Sequence, residues 1–137
     1  STPSPATDRG RMFHVDYDQT TNCLTISVKG FWKPEDVPLF AREVDTKARQ
    51  ARLIRDDFNV TVESFEFPVQ ANDVADLLAD IMRKGMPLTN GRTAVVVGSQ
   101  LNKAQAERTL VHPRVRVFLT LEDAHDWLAE KSKLPIN

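Results

Sequence analysis

A chain of 137 residues fits a single domain, because at this length roughly two-thirds of the unfolded surface is buried on folding. Lys and Arg number 18 against 19 Asp and Glu, so the net charge of -1 supplies no field for phosphate backbones or anionic lipid, and nucleic acid is excluded as an expected partner. With 41% hydrophobic and 27% charged residues the composition is globular, the single Cys23 excludes an internal disulfide and any multi-cysteine zinc site, and no run approaches the ~18 apolar residues of a membrane span.

Residues 1–10 are polar and proline-spaced, which predicts an unpacked leader without the apolar stretch of a signal peptide. A serine in place of methionine at position 1 leaves room for a removed upstream segment, so location stays open, with the cytoplasm favoured. The domain is expected over 11–131 and a flexible tail over 132–137.

From Met12 the pattern has period two. Phe13, Val15 and Tyr17 alternate with His14 and Asp16, and beyond the polar turn 18–22, Leu24, Ile26 and Val28 alternate with Thr25 and Ser27, which predicts a β-hairpin ending at Gly30. A helix follows on Val37, Phe40, Ala41, Val44 and Ala48, with Asp36 as its N-cap and Pro38 in its first turn. Phe58, Val60 and Val62 predict a third strand, while Leu53 and Ile54 fit either that strand or the loop before it. Pro68 is expected to open a second helix that buries Val74, Leu77, Leu78, Ile81 and Met82 and ends on a Gly85 cap. Asn90-Gly91 then turns the chain into Thr93-Ala94-Val95-Val96-Val97, an unbroken apolar run expected of a central parallel strand covered on both faces.

Asn102 with Gln105 reads as a capping-box start to a thin third helix with Leu101, Ala104 and Leu110 on its apolar side, stopped by Pro113. Val115 and Val117 between Arg114 and Arg116 predict an edge strand, and Thr120 caps a last helix that buries Leu121, Ala124 and Leu128. The order β-β-α-β-α-β-α-β-α predicts a layered α/β domain whose mostly parallel sheet has one antiparallel edge strand at its N-terminus.

Several phrases carry a resemblance: Ile26-Ser27-Val28-Lys29-Gly30, Phe67-Pro68-Val69-Gln70, Arg92 to Ser99, and Arg114-Val115-Arg116-Val117-Phe118 leading to Ala124-His125-Asp126-Trp127-Leu128. With the element order they resemble the STAS domain family of bacterial anti-sigma-factor antagonists and sulfate-transporter tails, and above all STAS-like proteins grouped with CRAL-TRIO-type lipid-binding domains. The resemblance implies a non-catalytic interaction or regulatory module with a protein partner, or a second copy, and no cofactor. The lipid-binding grouping implies an alternative, a small carrier of an apolar or amphipathic ligand. Phospho-switched antagonists place a serine or threonine at the start of the second helix, whereas the corresponding Pro68-Val69-Gln70-Ala71-Asn72-Asp73 has no hydroxyl, and Ser64 lies upstream.

Ligands of open α/β sheets bind at the carboxyl edge of the strands. The segments converging there carry Phe31, Trp32, Phe65, Phe67, Gln70 and Ser99, and the four aromatics either plug the end of the core or form an apolar mouth or docking patch. Gly98-Ser99, at a strand-to-helix junction, lacks a phosphate-binding glycine pattern. Asp73, Asp76 and Asp80 share one side of the second helix, either as a docking face for a basic partner or as a solvated surface. His14, His112 and His125 show no metal-ligand spacing, and Cys23 has no sequence-adjacent base, so no catalytic residue is expected.

Overall fold

The structure, a computed structural model, describes residues 12–130; the predicted leader over 1–10 and the tail over 132–137 lie outside the described residues. The strands are β1 (Phe13–Asp18), β2 (Cys23–Lys29), β3 (Asn59–Glu66), β4 (Thr93–Val97) and β5 (Val115–Phe118), and the helices α1 (Val37–Ile54), α2 (Asn72–Gly85), α3 (Gln100–Thr109) and α4 (Leu121–Glu130). One sheet holds all five strands in chain order, with β1 antiparallel to β2 and every other pair parallel.

Register follows from side-chain shape. Val15, Ile26, Val62, Val95 and Val117 lie opposite one another in turn, a row of β-branched residues across the sheet on its helix-covered face. On the opposite face the equivalent row runs Asp16, Thr25, Thr61, Ala94 and Arg116, polar over β1 to β3.

A strand order that only advances, joined by right-handed crossovers, puts every crossover helix on the same face. Phe40, Val44 and Ala48 of α1 accordingly pack with Leu24, Ile26 and Val60, while Ala106 of α3 packs with Val95, Val97 and Val117. Among the described residues the second face receives α4 alone, whose Ala124 and Leu128 close on Ala94 and Val96. The chain turns back for it through Thr120, whose Oγ1 accepts from Asp123 N–H at 3.1 Å.

Several details depart from the sequence reading, among them Leu77 of α2 and Leu121 of α4, expected on buried faces but 40% and 38% exposed at the outer margins of their helices' packing. Leu53 and Ile54 belong to the last turn of α1, where they are 88% and 49% exposed. Pro68 does not open α2, which begins at Asn72, because 68–71 is held in a loop by bonds to neighbouring segments. Gly85 is right-handed at φ -84° and passes into a 3₁₀ turn, Met86–Leu88, instead of capping α2. The third helix begins earlier, at Gln100, with Ser99 as its cap, and turns Leu101 and Ala104 to solvent.

Glycine is required where β4 ends, since a Cβ on Gly98 would stand 2.7 Å from the Phe65 carbonyl oxygen. Val96, fully buried between the sheet and α4, has no water to hydrate a charge, so Val96→Asp is expected to cost at least ~4 kcal/mol and abolish folding. Arg116 is itself exposed, with its guanidinium 5.8 Å from the Trp127 ring centre of α4, and Arg116→Ala is expected to cost no more than about 1 kcal/mol. Urea denaturation of the two variants checks this, and similar midpoints would refute the central and edge assignments.

Candidate functional site at the carboxyl edge

The parallel strands end on one edge, where the β2–α1 and β3–α2 loops and the start of α3 meet. Gly30, at φ +87°, lets the chain leave β2. The next two residues point opposite ways: Phe31 is 61% exposed and Trp32 is 1% exposed. The Trp32 ring meets Phe13, Phe40 and Phe67 edge to face at centroid distances of 6.0, 5.1 and 5.2 Å, and its Nε1–H donates to Lys29 O at 2.8 Å. Trp32 is therefore a plug of the core with no face to offer a partner, and Phe67 packs half-buried beside it.

The predicted aromatic group thus divides. Phe31 and Phe65, the latter 41% exposed, remain on the surface, joined on this edge by Val69 and Leu101 at 41% and 75% exposure. These four exposed hydrophobic residues, an apolar rim, come from four different segments of the chain: the β2–α1 loop, β3, the β3–α2 loop and α3.

Gln70 is tied into the protein on every side-chain polar atom. It is buried, its Oε1 accepts from Trp32 N–H at 2.8 Å, and its Nε2 donates to Gly30 O at 3.1 Å and Pro68 O at 2.7 Å. Its backbone exchanges two bonds with the side-chain amide of Gln105: Gln70 N–H donates to Gln105 Oε1 at 3.0 Å, and Gln105 Nε2 donates to Gln70 O at 2.7 Å. Asn102 Nδ2 adds a bond to Phe67 O at 3.0 Å. Gln70 has spent both side-chain donors inside the protein, so it organises the edge. Asn102 and Gln105, read from sequence as capping residues, form this clasp instead. Their i, i+3 spacing puts them on one helix face, but only the fold shows what that face meets.

Ser99 caps α3, with Oγ accepting from Asn102 N–H at 3.1 Å. Ser64 is buried, and its hydroxyl donates to Val96 O at 2.6 Å. From Phe65 to Leu88 the chain has no serine or threonine, and α2 starts behind Ala71 without a side-chain cap. Of the acidic stripe, Asp73 and Asp76 are exposed. Asp80 pairs with Lys84 at 3.0 Å and Arg83 at 3.4 Å, and the Lys84 ammonium first, with Arg83 behind it, holds that carboxyl below its ordinary range. The stripe is neutralised where it reaches the groove between α1 and α2 that Asp80 and Lys84 line.

Cys23 and the histidines stand apart from this edge. Burial, opposed by hydrogen bonds from Thr61 and Thr25, pushes the Cys23 thiol up, which makes it a poor nucleophile. Burial, and then the Arg114 guanidinium, pushes His112 below the usual imidazole range, and its Nδ1 accepts from Arg114 N–H at 3.0 Å. Among the described residues no group of three or more His, Cys, Asp or Glu is placed to hold a metal ion.

Beneath the rim, between the sheet and α1, α2 and α3, lies an apolar cavity of about 170 Å³. Ile26, Val62 and Val95 of the β-branched row form its floor, and Phe40, Leu78 and Met82 are among its walls. Phe67 and Gln70 border it, whereas Phe31, Trp32 and Phe65 do not.

In overall shape the domain is similar to an anti-sigma factor antagonist from Mycobacterium paratuberculosis, with a TM-score of 0.59 at 13% identity over 85% of this chain and 94% of that one. It is also similar to the anti-sigma factor antagonist SpoIIAA in its unphosphorylated form, with a TM-score of 0.58 at 15% identity over 91% of this chain and 99% of that one. The fold is STAS-like. No protein-family model matches the sequence, and no curated protein matches it. At such low identity the likeness extends to the fold alone, and the site residues stand on their own geometry.

The clasp and the plug predict two separate losses. Trp32→Ala removes a buried ring with three aromatic neighbours and is expected to cost ~3–5 kcal/mol, lowering Tm by at least about 10 °C. Gln70→Ala leaves the Trp32 N–H and two carbonyls without partners and is expected to cost about 2–3 kcal/mol. Calorimetric melts check both, and a Trp32→Ala protein melting within about 2 °C of wild type would return Trp32 to the surface set.

Proposed function

We propose that this STAS-like domain is a non-catalytic regulatory module that docks a protein partner, or a second copy of itself, through its carboxyl edge. The observation that carries the reading is the exposure of Phe31, Phe65, Val69 and Leu101 on one edge while their neighbours Trp32 and Phe67 pack inward. Both similar structures are anti-sigma factor antagonists, a name that specifies a protein target, and this supports a protein partner. Asp73 and Asp76, exposed at the start of α2 beside this rim, suit a partner with a basic border.

Docking here works without a phosphate switch. The α2 start carries no hydroxyl, and the Ser64 hydroxyl is turned inward to Val96 O. No helix among the described residues is long and apolar enough to cross a membrane, and we place the module in the cytoplasm as part of this proposal.

A second reading, carriage of an apolar ligand, is favoured by one observation, the cavity over Val62. The two readings use different surfaces, one outside the clasp and one beneath it.

The docking reading is tested in the native host by replacing either Phe31 or Leu53 with a photo-crosslinking p-benzoyl-phenylalanine. Both positions are exposed and apolar, but α1 carries Leu53 to the opposite edge of the sheet. Irradiation is expected to give a protein adduct of one defined mass from position 31 and none from position 53. Equal adducts from both positions, or none from position 31, would refute docking at the carboxyl edge.

A further inference from the structure

We propose that the cavity over β3 is a binding site for one uncharged apolar molecule of about six to ten non-hydrogen atoms, admitted between α2 and α3; this rests on the carrier reading above. The absence of charge follows from the walls. No residue lining the cavity is Lys, Arg, His, Asp or Glu.

Its polar side chains are already engaged. Ser64 donates to Val96 O, Thr89 to Phe58 O, Asn102 to Phe67 O and Thr109 to Gln105 O, the Gln70 amide bonds Trp32 N–H, Gly30 O and Pro68 O, and the Gln105 amide bonds the Gln70 backbone. Thr93 Oγ1 lies 3.3 Å from Met86 Sδ, and among the described residues no buried side-chain nitrogen or oxygen lacks a partner. A carboxylate or phosphate drawn inside would lose its hydration and meet neither a cation nor a free donor. Water inside would lack the two to four polar partners that hold it in a cavity, so an apolar molecule displaces it at little cost. Dry apolar cavities of similar volume take up benzene and xenon, which sets the size of the expected ligand.

The route is set by which walls are sealed. The β2 and α1 sides are closed by buried Leu24, Ile26, Phe40 and Val44. α3 has no buried residue at all, and its Gln105, Ala106 and Thr109 are half-exposed across from the half-exposed Leu78 and Met82 of α2. Asn102 and Gln105 tie the amino-terminal part of α3 to the carboxyl edge. The other end of the seam, around Met82 and Thr109, lacks such amide ties and is held by the packing of Leu110 on Val95, Val97 and Val117, so it is the end expected to widen.

The test is methyl-detected NMR titration of the full chain with toluene, nitrobenzene and benzoate, the last two being nearly the same shape and differing in charge. Toluene and nitrobenzene are expected to shift the methyl signals of Val62, Val95 and Leu78 saturably, at one molecule per chain. Benzoate is expected to bind at least about a hundredfold more weakly than nitrobenzene. Ala106→Phe, which fills the space from its half-exposed wall, is expected to weaken toluene binding at least about tenfold. If neither neutral probe shifts those methyls, the carrier reading falls and the ligand class with it. If benzoate binds within tenfold of nitrobenzene, the carrier reading survives and only the exclusion of charge is overturned. The wild-type titrations decide both questions even where the Ala106→Phe chain fails to fold.

Discussion

One buried amide, that of Gln70, holds the functional edge together. Within a few ångströms it binds the segment leaving β2 at Gly30 and Trp32 and its own loop at Pro68, while the Gln70 backbone exchanges two bonds with Gln105 of α3. A buried amide is stable only when its donors and acceptor are all answered, and here two answers come from the β2–α1 segment and one from its own loop. The orientation of Trp32 follows from it. With its N–H fixed to Gln70 Oε1, the indole turns down onto Phe13, Phe40 and Phe67, and the preceding residue of the extended chain, Phe31, turns out. The exposed member of the rim and the buried plug are therefore two consequences of one hydrogen-bonded knot.

The topology accounts for the space beneath that knot. Because the strands advance in order, the three crossover helices share one face and must divide it among them. α1 takes β1 and β2 with Phe40 and Val44, and α3 takes β4 and β5 with Ala106. Over the central strand stands α2, whose fully buried residues are only Val74, Ala75 and Ala79. Two alanines do not reach as far as leucines would, and Val62 remains incompletely covered at the centre of the sheet. A strong core elsewhere tolerates this deficit: β4 is buried along its whole length.

Whatever depends on near neighbours in the chain was readable from the sequence. The hairpin, the buried run of β4, the Thr120 cap and the edge position of β5 each rest on a local pattern, and each holds in the structure. The misreadings share a cause too. Pro68 has the chemistry of a helix start, yet bonds to Gln105 and Gly30, some 35 and 40 positions away, keep 68–71 as a loop. Asn102 and Gln105 have the spacing of a capping box, but Ser99 already caps the helix and their amides serve a distant loop. Trp32 followed by a proline-bearing loop is equally compatible with plug or patch until its three ring partners, on β1, α1 and the β3–α2 loop, are known. A cavity has no sequence signature at all, because it is the volume left over when helices of unequal side-chain reach are set on one sheet.

The same amides stand between the outer rim and the inner cavity. Phe67 and Gln70 border the cavity on one side, while the segment that joins them carries Val69 to the surface on the other. α3 grips that segment through Asn102 and Gln105, presents Leu101 beside it on the rim and supplies Ala106 to the cavity wall. A displacement of α3 therefore pulls on Phe67 and Gln70 before it moves anything in the sheet. The strands, locked by their row of β-branched residues, have no comparable freedom. In this domain one helix, α3, contributes Leu101 to the exposed apolar rim, Ala106 to the wall of the cavity and the Asn102 and Gln105 amides to the clasp.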